Sequence, residues 1–200
     1  MENFFEPDRR TLQSKAAFKD ALLRLMLQKS FDAVTVTELS ASAGLNRGTF
    51  YKHYRETADL LSEIESDVEN DLVAAFREPY RDRDILAVRE MSASAIGIFD
   101  HVLRYRNFYT CLIRREKAAF SRDRICHLFK RQLLSDLSTC GPSANIDDEL
   151  LAGYRAHASF GLIVEWVNSD FKYSSAYMAE QLVRILIASG ERDEYRVHIG

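Results

Sequence analysis

Proline and glycine are scarce in this chain, at 3 and 8 of 200 residues, against usual levels of about 5% and 7%. That scarcity excludes collagen-like and low-complexity chains. It also argues against an all-β fold, which needs many Gly/Pro turns. No apolar run approaches the roughly 18 residues of a membrane span. The longest, Phe160 to Val167, is interrupted by Glu165. The first ten residues, MENFFEPDRR, lack a basic segment followed by an apolar core, so no secretory signal is expected. Cysteines are few and odd in number (Cys111, Cys126 and Cys140), with no CxxC pair. Neither a disulfide framework nor a zinc site is expected. They read as small apolar residues in a reducing cytoplasm.

What is present is a globular composition, 46% hydrophobic and 28% charged, in a chain long enough to bury a core without staples. Leu, Ala, Glu, Arg and Ser dominate, so the expected fold class is all-α, with about nine helices and no convincing strand. The net charge of −3 hides an asymmetry. Residues 1–55 hold nine Lys/Arg against six Asp/Glu, and residues 56–200 hold 18 against 24. A basic head on an acidic body suggests that the head meets a polyanion. We therefore divide the chain into a head, 1–55, and a larger helical body, 56–200.

Within the head, residues 11–29 read as an amphipathic helix. Phe18, Ala21, Leu22, Leu25 and Met26 fall at i, i+3, i+4, i+7 and i+8, and Thr11 is a plausible N-cap. The connection 30–36 offers Phe31, Val34 and Val36 for packing. Thr35 to Glu38 fits a capping box, with Thr35 as cap and Glu38 reaching back. The short helix it starts runs to about Ala43, and Gly44 follows as a left-handed terminator. Asn46 is a good N-cap for a second short helix, Arg47 to about His53. Leu45 and Phe50 stand at the positions of a hydrophobic staple.

Two short helices joined by a Gly-containing turn make a helix-turn-helix. Its second helix carries Arg47, Gly48, Thr49, Tyr51, Lys52 and His53. These are hydrogen-bond donors and one glycine that allows close approach. No carboxylate lies between Leu45 and Arg55 to repel phosphate. Phe50 and Tyr54, at i and i+4, take the core face and leave Tyr51 outward.

The body opens with a long helix from about Thr57 to Arg77. Leu60, Leu61, Ile64, Val68, Leu72 and Phe76 form its stripe, Glu63, Glu65, Asp67, Glu69 and Asp71 its acidic side, and Pro79 ends it. Further helices are expected at 84–104, 106–118, 122–139, 147–169 and 174–190. Residues 140–148 form a loop and the tail ERDEYRVHIG is frayed. Phe160 to Val167 is apolar nearly all round, which a lone surface helix does not tolerate. Leu182, Ile185 and Leu186 give the last helix a matching stripe. Leu162, Trp166, Leu182, Ile185 and Leu186 are therefore the candidate dimer interface, a four-helix contact about a twofold axis.

The stretch 34–61, VTVTELSASAGLNRGTFYKHYRETADLL, resembles the DNA-binding signature of the TetR family of bacterial transcription regulators. Ala43-Gly44-Leu45, the Arg47-to-Tyr51 core, His53-Tyr54 and Leu60-Leu61 carry the resemblance. Later residues (Phe160 to Ile163, Glu165-Trp166, Tyr173-Ser174 and Met178 to Glu180) resemble a branch that includes activators of dihydroxyacetone kinase operons. The resemblance implies a homodimer that reads a palindromic operator in double-stranded DNA, with two recognition helices in successive major grooves. It implies a body that pairs the subunits and often holds an inducer. Carried over by position, Arg47, Gly48, Thr49, Tyr51, Lys52 and His53 meet DNA. Thr35 and Thr37 aim the amides of the first short helix at a phosphate. One position departs from the pattern. Where the family usually has a lysine contacting the backbone, this chain has Thr57, so either Arg55 takes over that contact or affinity is lower.

Each feature has a plainer reading. Arg47 and Lys52 could be solvated helix charges, and Glu165-Trp166 suits a ligand site or an interface equally. The aromatics Phe99, Tyr105, Phe108, Tyr109, Phe129, Tyr154 and Phe160 could line an apolar pocket or simply fill a core. His101, His127 and His157 lie on separate helices without metal-ligand spacing, and no nucleophile elbow or other catalytic signature is present. The expected protein is a cytoplasmic regulator, not an enzyme, with no metal or cofactor. Its partners are operator DNA, a second copy, and a small apolar ligand or a protein at the body, with no membrane. The rivals are an activator controlled by a protein partner, a helical enzyme and an oligomerisation scaffold.

Overall fold

The computed structural model describes residues 9–114, 122–139, 146–188 and 194–199. Among them are nine α-helices: α1 (Arg9–Met26), α2 (Val36–Ala43), α3 (Arg47–Tyr51), α4 (Thr57–Arg77), α5 (Ile98–Arg104), α6 (Arg106–Arg114), α7 (Arg122–Asp136), α8 (Asp148–Asn168) and α9 (Ser175–Ala188). Three short strands join them: β1 (Ile85–Ala87), β2 (Leu137–Thr139) and β3 (Glu194–Val197).

The head is built around Phe18 of α1. Its ring meets Phe50 of α3 edge-on at 5.4 Å, and Phe50 in turn packs on Tyr54 at 5.4 Å. Leu22, Leu39 and Leu60 are fully buried around them, so the three head helices and the start of α4 share one apolar centre. Helix α1 is already under way at Arg9, which places Thr11 inside the first turn and not at the cap.

Helix α4 ties head to body. Leu60 and Ile64 near its start, then Val68 and Leu72 further along, are buried in a single continuous core. Its acidic side is spent on ion pairs with its neighbours. Glu63 takes Lys15 at 2.9 Å and Lys19 at 2.6 Å from α1. Glu65 and Glu69 take Arg124 of α7 at 2.9 and 2.6 Å, and Asp71 takes Arg104 of α5 at 2.7 Å and is hydrogen-bonded by the His101 ring at 2.7 Å. Burial pushes the Glu63 carboxyl up, but hydrogen bonds from Lys19 and Lys15 outweigh it and hold the group below the usual range.

The expected helix over 84–104 forms only from Ile98. Residues 85–97 hold β1 and two single turns of 3₁₀ helix, Val88–Glu90 and Ala93–Ala95. Leu86, the middle of β1, and Val88, which opens the first of these turns, are both buried. The expected absence of strands and the frayed tail are both corrected by β3. It is the central strand of an antiparallel sheet ordered β1-β3-β2, pairing Leu86 with Tyr195 and Leu137 with Val197. Tyr195 closes a small second core with Tyr80, Leu86 and Val88. Asp136, buried at the end of α7, locks this corner. It accepts from Arg77 Nε and Nη2 at 2.7 and 2.9 Å and from the Ser135 and Tyr80 hydroxyls at 2.8 and 3.2 Å. Most of the expected loop 140–148, the expected helix end at Gly190 and Cys140 lie outside the described residues.

Candidate functional site

The turn between α2 and α3 is made by local hydrogen bonds. Thr35 Oγ1 accepts from the Glu38 amide at 3.3 Å and so caps α2. The other half of the expected capping box does not form, because the Glu38 carboxylate pairs with Lys29 instead. Gly44 takes φ 67°, the left-handed conformation that costs other residues free energy. Asn46 Oδ1 then accepts from the Thr49 amide at 2.8 Å and the Thr49 hydroxyl at 3.1 Å, which caps α3. A Cβ on Gly48 would stand 3.2 Å from that oxygen, so glycine there protects the cap as well as keeping the helix surface low.

This geometry leaves most of the head's polar candidates exposed. Phe50 and Tyr54 point inward, leaving Arg47, Gly48, Tyr51 and Lys52 exposed, with Tyr51 at 52%. Thr35, Thr37 and Arg55 are exposed too, while Thr49 and His53 are half-buried. Among the described residues, the side chains of Arg47, Lys52 and Arg55 make no ion pair, whereas Lys15, Lys19 and Lys29 are drawn into the protein by carboxylates. The positive charge left outward in the helix-turn-helix is thus the charge of α3 and its exit. Thr57 is the first residue of α4. Asp59 Oδ2 beneath it accepts the amides of Arg55 and Glu56 at 2.8 and 3.2 Å, completing the turn into α4.

The body holds a cavity of about 240 Å³ between the end of α4, α7, α8, α9 and the sheet. Of the aromatics that could have lined a pocket, Phe129 and Tyr154 do so; Phe99, Phe108, Tyr109 and Phe160 are buried elsewhere in the core and Tyr105 packs against it. Four of the five residues assigned from sequence to a dimer interface, Leu162, Leu182, Ile185 and Leu186, line this cavity instead of lying wholly on an outer face. The fifth, Trp166, is 1% exposed within a single chain. Its ring meets Phe99 and Phe171 at 5.7 and 5.2 Å, and its Nε1 donates to the Tyr173 carbonyl at 2.9 Å. It is a core residue with no surface to offer a partner. The outward apolar side chains of α8 are Leu150 and Tyr154, one turn apart, the latter 69% exposed.

A polar edge interrupts the cavity wall. Arg155 Nη2 donates to the Tyr195 hydroxyl at 2.5 Å, and its guanidinium lies 5.2 Å from the centre of the Tyr195 ring. Tyr195 is not legible in the sequence because its partners, Arg155, Thr139 and Leu86 among them, lie from forty to more than a hundred residues away along the chain. Only the alternation of Tyr195 and Val197 with Glu194 and Arg196 hinted at a strand.

No helix among the described residues is long and apolar enough to cross a membrane. The family model for bacterial regulatory proteins of the tetR family matches residues 19–64, the helix-turn-helix and its flanks. A model described as transcriptional regulator C-terminal region matches residues 89–188, half of the chain. The uncharacterized HTH-type transcriptional regulator YxbF of Bacillus subtilis (strain 168) is 22% identical over 172 residues, 84% of this chain and 43% of that protein. The chain thus spans less than half the length of that relative. A tetR-family transcriptional regulator from Streptomyces coelicolor superposes with a TM-score of 0.61 at 22% identity, covering 88% of this chain and 80% of that one. The dihydroxyacetone kinase operon activator DhaS does so at 0.52 and 18%, covering 88% and 95%. At these identities the solved structures speak for the fold. With both the helix-turn-helix head and the helical body matched, the chain belongs to the TetR family of bacterial transcriptional regulators.

Proposed function

We propose that this regulator binds double-stranded operator DNA of twofold symmetry as a homodimer in the cytoplasm, and that a small molecule in the body cavity sets its affinity. The observation that carries this reading is the outward face of α3, where Arg47, Tyr51 and Lys52 stand exposed on a helix fixed from behind by Phe50. Donors on one side of a short helix suit the edges of a major groove and its flanking phosphates. Thr35 and Thr37, exposed at the start of α2, suit a neighbouring phosphate at that helix N-terminus. Leu150 and Tyr154 on the outer side of α8 favour a second copy as the partner of the body, since an isologous contact buries both sets at once. The apolar lining of the cavity favours a small molecule over a protein as the controlling partner.

The test is selection of bound sequences from a random DNA pool, followed by titration of the selected duplex at several salt concentrations. The expected product is a palindrome with half-sites about one helical turn apart, roughly 34–36 Å. Affinity should fall by about 10³–10⁵ between 50 and 200 mM salt if 6–10 phosphates are contacted. A flat salt response, or no enrichment of any sequence, would overturn the reading.

A further inference from the structure

We infer that the cavity takes an uncharged molecule of about eight to ten carbons that carries a single hydrogen-bonding oxygen, with that oxygen at Ser159 and the apolar remainder among Phe76, Phe129, Leu162 and Leu182. The inference rests on the proposal that a small molecule occupies the body cavity, and adds its chemical class.

Charge is the first argument. Apart from Arg155, Ser159 and three tyrosines, every side chain lining the cavity is apolar, and no carboxylate, lysine or histidine is among them. Arg155 is committed to the protein. Its Nη2 donates to the Tyr195 hydroxyl at 2.5 Å, and its guanidinium lies 5.2 Å from the centre of the Tyr195 ring. The wall therefore holds no charge in reserve for a ligand. An ion of either sign would give up its water without gaining a counter-charge. Burying a charge in that way costs so much that the group changes protonation state instead. A neutral molecule meets no such cost.

Hydrogen bonding is the second argument. The Tyr80 hydroxyl donates to Asp136 at 3.2 Å, the Tyr195 hydroxyl accepts from Arg155, and Tyr154 is 69% exposed, so solvent serves it. Ser159 differs. It is half-buried in the wall, and among the described residues its hydroxyl makes no hydrogen bond to the protein. It stands three residues before Leu162 on α8, so the two share a face of that helix. A hydroxyl in an apolar wall recovers its pairing when a ligand oxygen arrives. Being both donor and acceptor, it suits an alcohol or a ketone.

Size is the third argument. A cavity of about 150 Å³ lined by apolar side chains takes benzene, with its six carbons. In proportion, the 240 Å³ of this cavity suits about eight to ten carbons.

The experiment titrates the full chain with n-octanol, n-octanoate, n-octylamine and p-xylene, read by calorimetry and by the rise in Tm that a ligand of the folded state produces. At pH 7 octanol should bind about 10- to 100-fold more tightly than octanoate or octylamine. Proton linkage supplies a second readout. An acid of pKa about 4.3 that enters only uncharged should gain about tenfold in affinity from pH 7 to 6. An amine of pKa about 10.4 should gain about tenfold from pH 7 to 8, while octanol stays level. Ser159→Ala should lower octanol affinity about 2- to 10-fold and leave p-xylene as it was, which also reports that the cavity is intact. Octanoate or octylamine binding at pH 7 as tightly as octanol overturns the proposal, whether or not the variant folds. So does an ion whose affinity ignores pH, or the absence of binding by all four probes. A loss in Ser159→Ala that octanol and p-xylene share equally, or no loss at all, overturns the role of Ser159. Octanol binding that leaves operator affinity unchanged would overturn the regulatory reading while upholding the ligand class. Intact operator binding with no probe bound would overturn the ligand class while upholding the reading of the head.

Discussion

At the scale of single residues, the side chains of α3 divide by what each can reach. Lys52 ends the helix as an exposed, flexible point charge, so Lys52→Ala should weaken binding to operator and unrelated DNA alike and reduce the salt slope by about one unit. Arg47 is exposed at the first turn of α3, and under the proposed function it meets a base edge. Arg47→Ala should cost about 1–3 kcal/mol on the operator and relax preference at one position, measured by competition with single-base variants. Thr57 begins α4 beside exposed Glu56 and Asp59. Thr57→Lys puts a cation at a helix N-terminus, at a cost of about 0.3–1 kcal/mol, and gains one counterion release if it faces phosphate. Binding should tighten on all sequences at low salt and the gain should fade as salt rises; tightening confined to the operator would contradict the placement. Away from DNA, His101 is 1% exposed, its Nδ1 donating to Asp71 at 2.7 Å and its Nε2 accepting from the Tyr109 hydroxyl at 2.9 Å. Burial pushes its pKa below the ordinary histidine value against the opposing pull of Asp71. The unfolded chain therefore takes up this proton at higher pH than the folded one. The stability involved is present above about pH 6.5 and is lost as pH falls through that value. Tm should drop between pH 7.5 and 5.5, and the drop should shrink in His101→Gln.

At the scale of elements, α3 is five residues long and cannot persist by helix propensity alone. It is held by a cap at each junction and by one buried aromatic. Asn46→Ala removes the acceptor for two Thr49 donors and should cost about 1 kcal/mol of stability. Gly44→Ala meets no steric neighbour, since nothing lies within 4 Å of its would-be Cβ. Its cost, also about 1 kcal/mol, comes from the left-handed backbone alone. Denaturant unfolding measures both. Because each change loosens the orientation of α3, DNA affinity should fall more than global stability does. The pairs between α1 and α4 leave the head with less outward positive charge than its nominal count. Lys15 and Lys19 serve Glu63 and Asp67, and burial, which alone would lower the Lys19 pKa, is outweighed by its hydrogen bonds to Asp67 and Glu63, so the pKa lies above its usual value.

At the scale of the whole molecule, the C-terminal strand holds the body together across the longest distance in sequence. Tyr195 packs with Tyr80, Leu86 and Val88, and the His198 amide donates to the Asp136 carbonyl at 2.8 Å. Tyr195→Ala should cost about 3–5 kcal/mol, the range for truncating a large buried aromatic, and should open one wall of the cavity. Glutamates at Leu150 and Tyr154 test the proposed pairing of two copies, because neither change disturbs a buried side chain. Sedimentation should show monomers with unaltered far-UV circular dichroism, and operator affinity should fall sharply as the second half-site is lost. Folded variants that remain dimers would move the interface elsewhere.

The sequence by itself determined the helix-turn-helix, because everything that makes it is local. Thr35, Gly44 and Asn46 act within four residues of their own positions, and Phe50 and Tyr54 mark the inner face by spacing alone. Helix α4 was legible to the residue, since a single apolar stripe runs unbroken from Leu60 to Phe76. Helices α7, α8 and α9 lie within a few residues of the spans expected from their patterns, and the tertiary structure decided the strands and what each helix packs against. The sheet could not be read because β1, β2 and β3 are three or four residues each and gain their hydrogen bonds from partners about sixty and a hundred residues away. The apolar run Phe160 to Val167 announced burial without saying against what. Trp166 went into the core of its own chain and Leu162 into a cavity wall. That distinction depends on how α8 turns against α7 and α6, and spacing along one helix carries no record of it. Arg155 and Tyr195 likewise became a pair only when β3 folded back, since contact between residues forty apart is set by topology and not by pattern.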